Sequence, residues 1–239
     1  MTTPPRSLAL YSGTPHPCNY LPGYTATTLF PDPRVPVDTH LYSQLIDHGF
    51  RRSGEHIYRP HCQSCNACIP VRAPVAAFQP NRAQKRTWRR NEDLQVSRVA
   101  TARNKEHFAL YRRYLATRHP GGGMDDPDPE NYLSFFINPR IDTAFYEFRL
   151  HGQLLAVAVV DHLERGLSAV YTFFDPDHDA RSLGVYAVLW QIEEARRLGL
   201  PWVYLGYWIK ESPKMRYKSQ YRPLEAYRDG YWSTIDSVL

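Results

Sequence analysis

Cysteine is scarce in this chain of 239 residues: there are four, Cys18, Cys62, Cys65 and Cys68. Three of them crowd into residues 62–68 as C-QS-C-NA-C, which is no disulfide framework of a small secreted fold. The N-terminus, MTTPPRSLALYSG, has no basic segment followed by an apolar core, so no secretory signal is read there and a cytoplasmic location is expected. Long apolar runs are missing as well. The longest, Leu154–Val160 (LLAVAVV), is too short to span a bilayer. Charge of one sign is in only slight surplus, with 29 Lys and Arg against 24 Asp and Glu and a formal net charge of +5. That permits a polyanionic partner without demanding one. Internal repeats and low-complexity segments are absent. Membrane, secreted and fibrous classes are therefore excluded, and a composition 43% hydrophobic and 22% charged is that of a folded globular protein.

Twenty prolines and seventeen tyrosines stand out. Residues 1–36 are rich in proline and aromatics and read as irregular chain packed onto something larger. Asp38–Gly49 reads as a short helix capped by Asp38, Phe50–Pro60 as a hairpin turning at Ser53 and Gly54, and IPVRAPVAAF as β-like. In NRAQKRTWRRN, Arg82, Lys85, Arg86, Arg89 and Arg90 recur at helical spacing, giving one almost wholly basic face. A helix is predicted over Glu106–Arg118, and the following HPGGGMDD reads as a mobile breaker. The second half is more regular. Three strands (Phe145–Leu150, Leu154–His162, Leu167–Asp175) precede a helix over Ser182–Leu198 with Ser182 as N-cap, then a strand over Pro201–Trp208. The expectation is an α+β fold in two parts, residues 1–103 with the cysteines and the basic helix, and residues 104–239 with the catalytic chemistry.

The order β-β-β-α-β is that of a GNAT-like acyltransferase fold. In such a fold the helix start offers unpaired amides and a positive dipole to an anionic or acyl-carrying group. Here that start is Arg181-Ser182-Leu-Gly184-Val-Tyr186, half of an Arg-x-x-Gly-x-Gly pyrophosphate loop, with Tyr186 where a side chain would crowd a pyrophosphate. An ordinary capped core helix is the plain alternative. The cysteines read as a metal site, since thiolates two residues apart turn onto one ion and Cys18 would close a tetrahedron. Zinc and an iron–sulfur cluster both accept four thiolates; packed free thiols and redox chemistry stay open. The basic run is either a solvated face or, with Trp88 among its cations able to stack on a base or ribose, a surface for RNA phosphates.

After the last strand comes YLGYWIKESPKMRYKSQYRPLE. Together with YTFFDPDHDARSLGVYAVLWQIEEARRLGLP, PCNYLPGYTATTLFPDP and YRPHCQSCNACIPVR, it resembles the aminoacyl-tRNA–protein transferases over residues 15–230. The short length, the CxxCxxC form and PCNYLPG favour the bacterial branch that transfers Leu from Leu-tRNA to N-terminal Asp or Glu, a step of N-degron protein degradation. Arginyl transfer, or an acyl-CoA-dependent GNAT reaction, is the alternative. Ser212 stands where the arginyl enzymes often carry Cys. The resemblance implies no organic cofactor, partners limited to aminoacyl-tRNA and acidic N-termini, and no membrane. It also directs roles to residues. Arg82, Lys85, Arg86, Arg89, Arg90, Arg181, Ser182 and Gly184 would meet tRNA. Lys214, Arg216 and Lys218, pointing one way from an extended segment, would read the substrate carboxylate. Tyr204, Tyr207 and Tyr217 would relay the amine proton or bond the ester, with core aromatics as the plain alternative, and Phe173, Leu205 and Trp208 would hold the leucine side chain.

Overall fold

The computed structural model describes residues 8–99, 104–118 and 128–235. The HPGGGMDD segment expected to be mobile lies outside the described residues. The proline-rich N-terminal region is less irregular than expected. It holds β1 (Leu10–Ser12), β2 (His16–Pro17), β3 (Thr25–Ala26) and β4 (Thr28–Pro31), short pieces that prolines keep from growing. Helix α1 (Thr39–Asp47) follows, with the Asp38 carboxylate accepting from the Leu41 amide at 2.8 Å. The hairpin of β5 (Arg51–Ser53) and β6 (His56–Pro60) pairs with β4, giving the sheet order β1-β4-β6-β5. Its turn needs Gly54. The φ there is +57°, and a Cβ would lie 2.0 Å from the Ser134 carbonyl oxygen.

Beyond the cysteines lie β7 (Ile69–Pro74), α2 (Arg82–Arg90), β8 (Gln95–Val99) and α3 (Lys105–Arg118). Helix α2 has the predicted bounds because Asn81 and Gln84 form a reciprocal capping box. Helix α4 (Pro129–Phe136), not anticipated, starts at Asp128, whose side chain accepts from the Glu130 and Asn131 amides ahead of a proline at the first helical position. The predicted β-β-β-α-β run appears as β9 (Thr143–Leu150), β10 (Gln153–Leu163), β11 (Gly166–Phe174), α5 (Leu183–Arg197) and β12 (Trp202–Trp208). A last hairpin, β13 (Glu225–Arg228) and β14 (Tyr231–Thr234), turns at Asp229-Gly230.

One eight-stranded sheet, order β14-β13-β7-β12-β11-β10-β9-β8, organises the mixed α+β molecule. It takes β7 and β8 from before residue 103 and the rest from after it. The apolar run Leu154–Val160 is the body of β10 and is buried on both faces. Ala156, Ala158 and Val160 pack with α5 residues such as Ala187 and Ile192. Val157 and Val159 pack with Leu110, Tyr111 and Leu115 of α3 and with Phe136 of α4. A third cluster joins α1 to the sheet through Tyr42, Leu45, Ile46 and Tyr204. Among the described residues no helix is long and apolar enough to cross a membrane.

Candidate active site

Strands β11 and β12 run parallel but pair only where Gly166, Leu167 and Ser168 face Trp202, Val203 and Tyr204. Beyond that the two part. Gly206, with φ +82°, sits at an irregularity in β12 where the register against β7 shifts. The fork so opened holds a cavity of about 1010 Å³, walled by Ala169–Thr172 of β11, Leu205–Tyr207 of β12 and Ser182–Val185 at the start of α5. Its rim is completed by Lys214, Met215, Tyr217 and Lys218.

The start of α5 differs from a simple capped helix. Ser182 adopts a left-handed conformation (φ 53°) and its side chain makes no capping hydrogen bond, which corrects its expected role as N-cap. Its carbonyl accepts from the Val185 and Tyr186 amides, both at 3.0 Å. The Leu183 and Gly184 amides have no partner among the described residues, so the cavity wall carries free donors at the positive end of a helix. A Cβ on Gly184 would press on the Phe174 ring at 3.0 Å. Tyr186 points elsewhere than expected. It is buried against Trp88 and Phe148, with ring centroids 5.4 and 5.8 Å away. Steric crowding of a pyrophosphate by Tyr186 is therefore not what this site shows.

The three tyrosines proposed from sequence part company. The Tyr204 hydroxyl donates to Asp47 at 2.5 Å within the α1 cluster and does not line the cavity. Tyr207 lines it, with its hydroxyl on the Gly49 carbonyl at 2.9 Å. Tyr217 lines it and is 44% exposed. Burial pushes the Tyr207 and Tyr171 phenols well above their ordinary range, so at neutral pH both hold their protons. Of the residues expected around a leucine side chain, Leu205 lines the cavity, while Phe173 and Trp208 belong to the buried clusters.

The KMRYK segment is not extended. Arg216–Gln220 is a 3₁₀ turn, so Lys214 and Lys218 both reach the cavity while Arg216 is exposed and does not line it. Lys218 is buried, donating from Nζ to the Tyr207 carbonyl at 2.7 Å. Burial, with the nearby Arg51 charge adding, pulls its pKa down to about 7. Arg51 was not singled out by sequence reasoning. Its guanidinium sits where the strands part, donating from Nη1 to Ser168 Oγ at 3.0 Å and from Nη2 to the Ala169 carbonyl at 2.7 Å. The only signal available was two adjacent arginines in a strand, which alternation must send to opposite faces. Arg52 goes to the other face, where it forms a bidentate pair with Asp161 (2.7 and 2.5 Å), both side chains fully buried.

On α2, Arg82, Lys85, Arg86, Arg89 and Arg90 are all exposed, and none of them forms an ion pair among the described residues. Trp88 does not project with them. It is half-buried against the core, which removes the expected stacking on a base. Arg181 pairs with Asp93 at 2.8 Å and donates to the Arg90 carbonyl, tying α2 to the approach of α5.

The four cysteines line a second cavity, of about 530 Å³. None is in a disulfide. The Cys18 sulfur accepts from the Tyr20 and Leu21 amides, each at 3.4 Å. Burial and the other three thiols push Cys68 up to about 12. Among the described residues no group of three or more His, Cys, Asp or Glu stands close enough to hold a metal ion.

The sequence matches the model of the arginine-tRNA-protein transferase C terminus over residues 106–228 and that of the N terminus over residues 16–86. It is 56% identical to an aspartate/glutamate leucyltransferase of Pseudomonas fluorescens (strain Pf0-1), across 96% of this chain and 97% of that one. A protein of the same description from Pseudomonas putida (strain KT2440) is 54% identical over the same shares. Among solved structures, the C-terminal domain of a lysylphosphatidylglycerol synthetase from Agrobacterium fabrum superposes with a TM-score of 0.46 at 15% identity, covering 71% of this chain and 52% of that one. The chain belongs to the arginine-tRNA-protein transferase family. Within it, the relatives at 54–56% identity are aspartate/glutamate leucyltransferases.

Proposed function

We propose that this protein transfers leucine from Leu-tRNA to the α-amine of proteins beginning with Asp or Glu, on a GNAT-like fold and in the cytoplasm. The observation that carries the reading is the fork between β11 and β12, which joins unpaired helix-start amides, buried phenols and cations in one cavity. The relatives' description supports the choice of leucine and of acidic acceptors.

The aminoacyl ester is already activated, so positioning carries most of the catalytic burden. The α-nitrogen attacks the ester carbonyl carbon, a C–N bond forms, the C–O bond to the terminal ribose breaks, and the amine proton ends on the ribose oxygen. With an α-amino pKa of about 7.7, roughly a sixth of acceptor amines are neutral at pH 7. A strong base is therefore unnecessary, and donors for the developing oxyanion matter more. The Leu183 and Gly184 amides fit that role, and Ser182 and Gly184 thus act at the aminoacyl end of the tRNA. Tyr217, protonated, serves as a hydrogen-bond donor; Tyr207 shapes the cavity wall with its hydroxyl proton committed to the Gly49 carbonyl, and Tyr204, outside the cavity, orders Asp47 and β12. Lys218 and Lys214 face the acidic side chain, with Arg216 adding charge from the exposed side of the same turn. The exposed cations of α2, aligned with Arg181, meet tRNA phosphates without reading sequence.

The residues 1–103 are proposed to supply the tRNA surface and a structural thiolate centre, and residues 104–239 the transfer chemistry. Zinc or an iron–sulfur cluster held by Cys18, Cys62, Cys65 and Cys68 is the proposed occupant of the second cavity, and it would require the four thiols to draw closer than they stand. Such a centre would brace the N-terminal segment against β7 and takes no part in the transfer.

The test is to incubate the full chain with labelled Leu-tRNA or Arg-tRNA and peptides beginning with Asp, Glu or Ala. Leucine label on the acidic peptides alone is the expected result. Arginine label, or transfer only from acyl-CoA, overturns the reading. Metal content of the purified protein decides the thiolate centre.

A further inference from the structure

Two cations of the fork cavity are buried, and neither has an acidic partner among the described residues. Arg51 is 8% exposed and Lys218 7%. The other cavity cations are accounted for: Arg52 by Asp161, and Arg118 by Asp179, the one carboxylate on the cavity wall. Lys214 is exposed to solvent. Arg51 has five N–H donors, of which two are used, both on neutral oxygens. A guanidinium kept from water without a counter-charge is costly, and proteins keep such a group where a ligand brings the missing charge.

The backbone is shaped around it. Ala169 offers its carbonyl to Arg51 just past the last β11–β12 pair. Opposite, β12 presents Gly206, whose absent Cβ would lie 3.3 Å from Arg51 Nε and 3.4 Å from Cζ. A left-handed glycine and a strand irregularity thus leave room for one guanidinium at the closed end of the fork.

Resting on the proposed transferase reading, we propose that Arg51 is the specificity residue that grips the side-chain carboxylate of the acceptor's N-terminal Asp or Glu, with Lys218 beside it. A guanidinium fork matches a carboxylate with two parallel hydrogen bonds. Depth selects the ligand. A side chain one or two carbons beyond an α-carbon reaches the closed end of a fork, whereas polymer phosphates meet exposed cations such as those of α2.

The inference is tested by binding and the underlying reading by transfer. Peptides beginning with Asp and their Asn twins are titrated into the full chain and into the variants Arg51→Gln and Arg51→Lys, with Leu-tRNA binding measured in parallel. The wild type prefers Asp by about 10–100-fold, the range of a charge-assisted pair. Arg51→Gln abolishes that preference and leaves Leu-tRNA binding within about twofold; Arg51→Lys, which keeps the charge and loses the fork, restores part of it. An Asp preference intact in Arg51→Gln overturns the proposal, as does a loss confined to Leu-tRNA binding, which would assign Arg51 to a phosphate. Circular dichroism of each variant identifies a misfolded Arg51→Gln, and Arg51→Lys then decides alone. Failure of the wild type to transfer leucine to any peptide overturns the transferase reading, whatever the binding data show.

Discussion

Replacing Asp161 with Asn keeps the shape of the side chain and removes its charge. In the native protein both its oxygens hold Arg52, through Nε at 2.7 Å and Nη2 at 2.5 Å, and neither side chain has any exposed surface. Arg52 also donates to the carbonyls of Phe136 (3.0 Å) and Gly54 (3.3 Å) and to Thr143 Oγ1 (3.0 Å). One guanidinium therefore joins the β5–β6 turn, the end of α4, β9 and β10. The Asp161→Asn change would leave that guanidinium without its counter-charge in a dry interior, a loss of about 3–5 kcal/mol. At ~2–4 °C per kcal/mol for a chain of this size, the melting temperature falls by about 6–20 °C. The assay is urea and thermal unfolding of wild type, Asp161→Asn, and the double variant Arg52→Met/Asp161→Leu. Because burying an ion pair is itself expensive, the double variant recovers most of the loss. A single variant within about 1 kcal/mol of wild type would refute the reasoning. So would a double variant as unstable as the single, which would mean that packing rather than charge is at stake. The result also bears on the site, since Arg52 fixes the strand from which Arg51 points the other way.

Glu in place of both Arg86 and Arg89 should weaken Leu-tRNA binding and lower the slope of log K against log salt by about 1–2, as each lost phosphate contact removes roughly 0.7–0.9; an unchanged slope returns α2 to a solvated face. Lys218 gives a pH signature. With its pKa pulled to about 7, it is charged below that pH and neutral above, so the preference for Asp over Asn peptides should grow from pH 8.5 to pH 6 and become flat in Lys218→Met. The α-amine titrates alike in both peptides, so the ratio isolates Lys218. Stability follows the same linkage. The unfolded chain binds the Lys218 proton up to about pH 10.4, so the burial cost is present in full below pH 7 and fades between about pH 7 and pH 10.4. Unfolding of Lys218→Met should accordingly show its largest gain over wild type at pH 6 and the smallest at pH 10.

Much of the framework was legible because local signals agreed with tertiary ones. Asn81 and Gln84 fix the start of α2 by hydrogen bonds within four residues. The β9–β12 strands and α5 were found within one or two residues because apolar stretches end at glycines and turn residues. The site was harder to read. Ser182 has the right chemistry for an N-cap and takes a left-handed conformation instead, because the preceding 3₁₀ turn, Pro176–Arg181, delivers the chain from the wrong direction. Trp88 and Tyr186 looked like ligand-facing aromatics, yet they pack on each other where α2 crosses α5. Alternation in KMRYK presumed a strand; the 3₁₀ turn there replaces a period of two by a period of three and sends Arg216 outward. Arg51 was invisible for a different reason. Its meaning comes from Ser168, Ala169 and Gly206, more than a hundred residues away, and from a counter-charge that is missing.

The position of β7 has a consequence for how the chain is made. Its neighbours are β12 and β13, so a strand synthesised early has no partner until Trp208 has been made and lacks its second one until Arg228. Arg72 on that strand is then clasped by late arrivals: Glu225 at 2.8 Å, the Trp202 ring at 3.7 Å and the Trp232 ring at 4.2 Å. Until they emerge, the nascent chain exposes an unpaired β-edge, and Pro70 and Pro74 near its ends deny intruding strands part of the hydrogen bonding they would need. A product cut short before residue 225 would keep that edge open for good. Closure of the sheet around the candidate site therefore waits on a hairpin made more than 150 residues after β7.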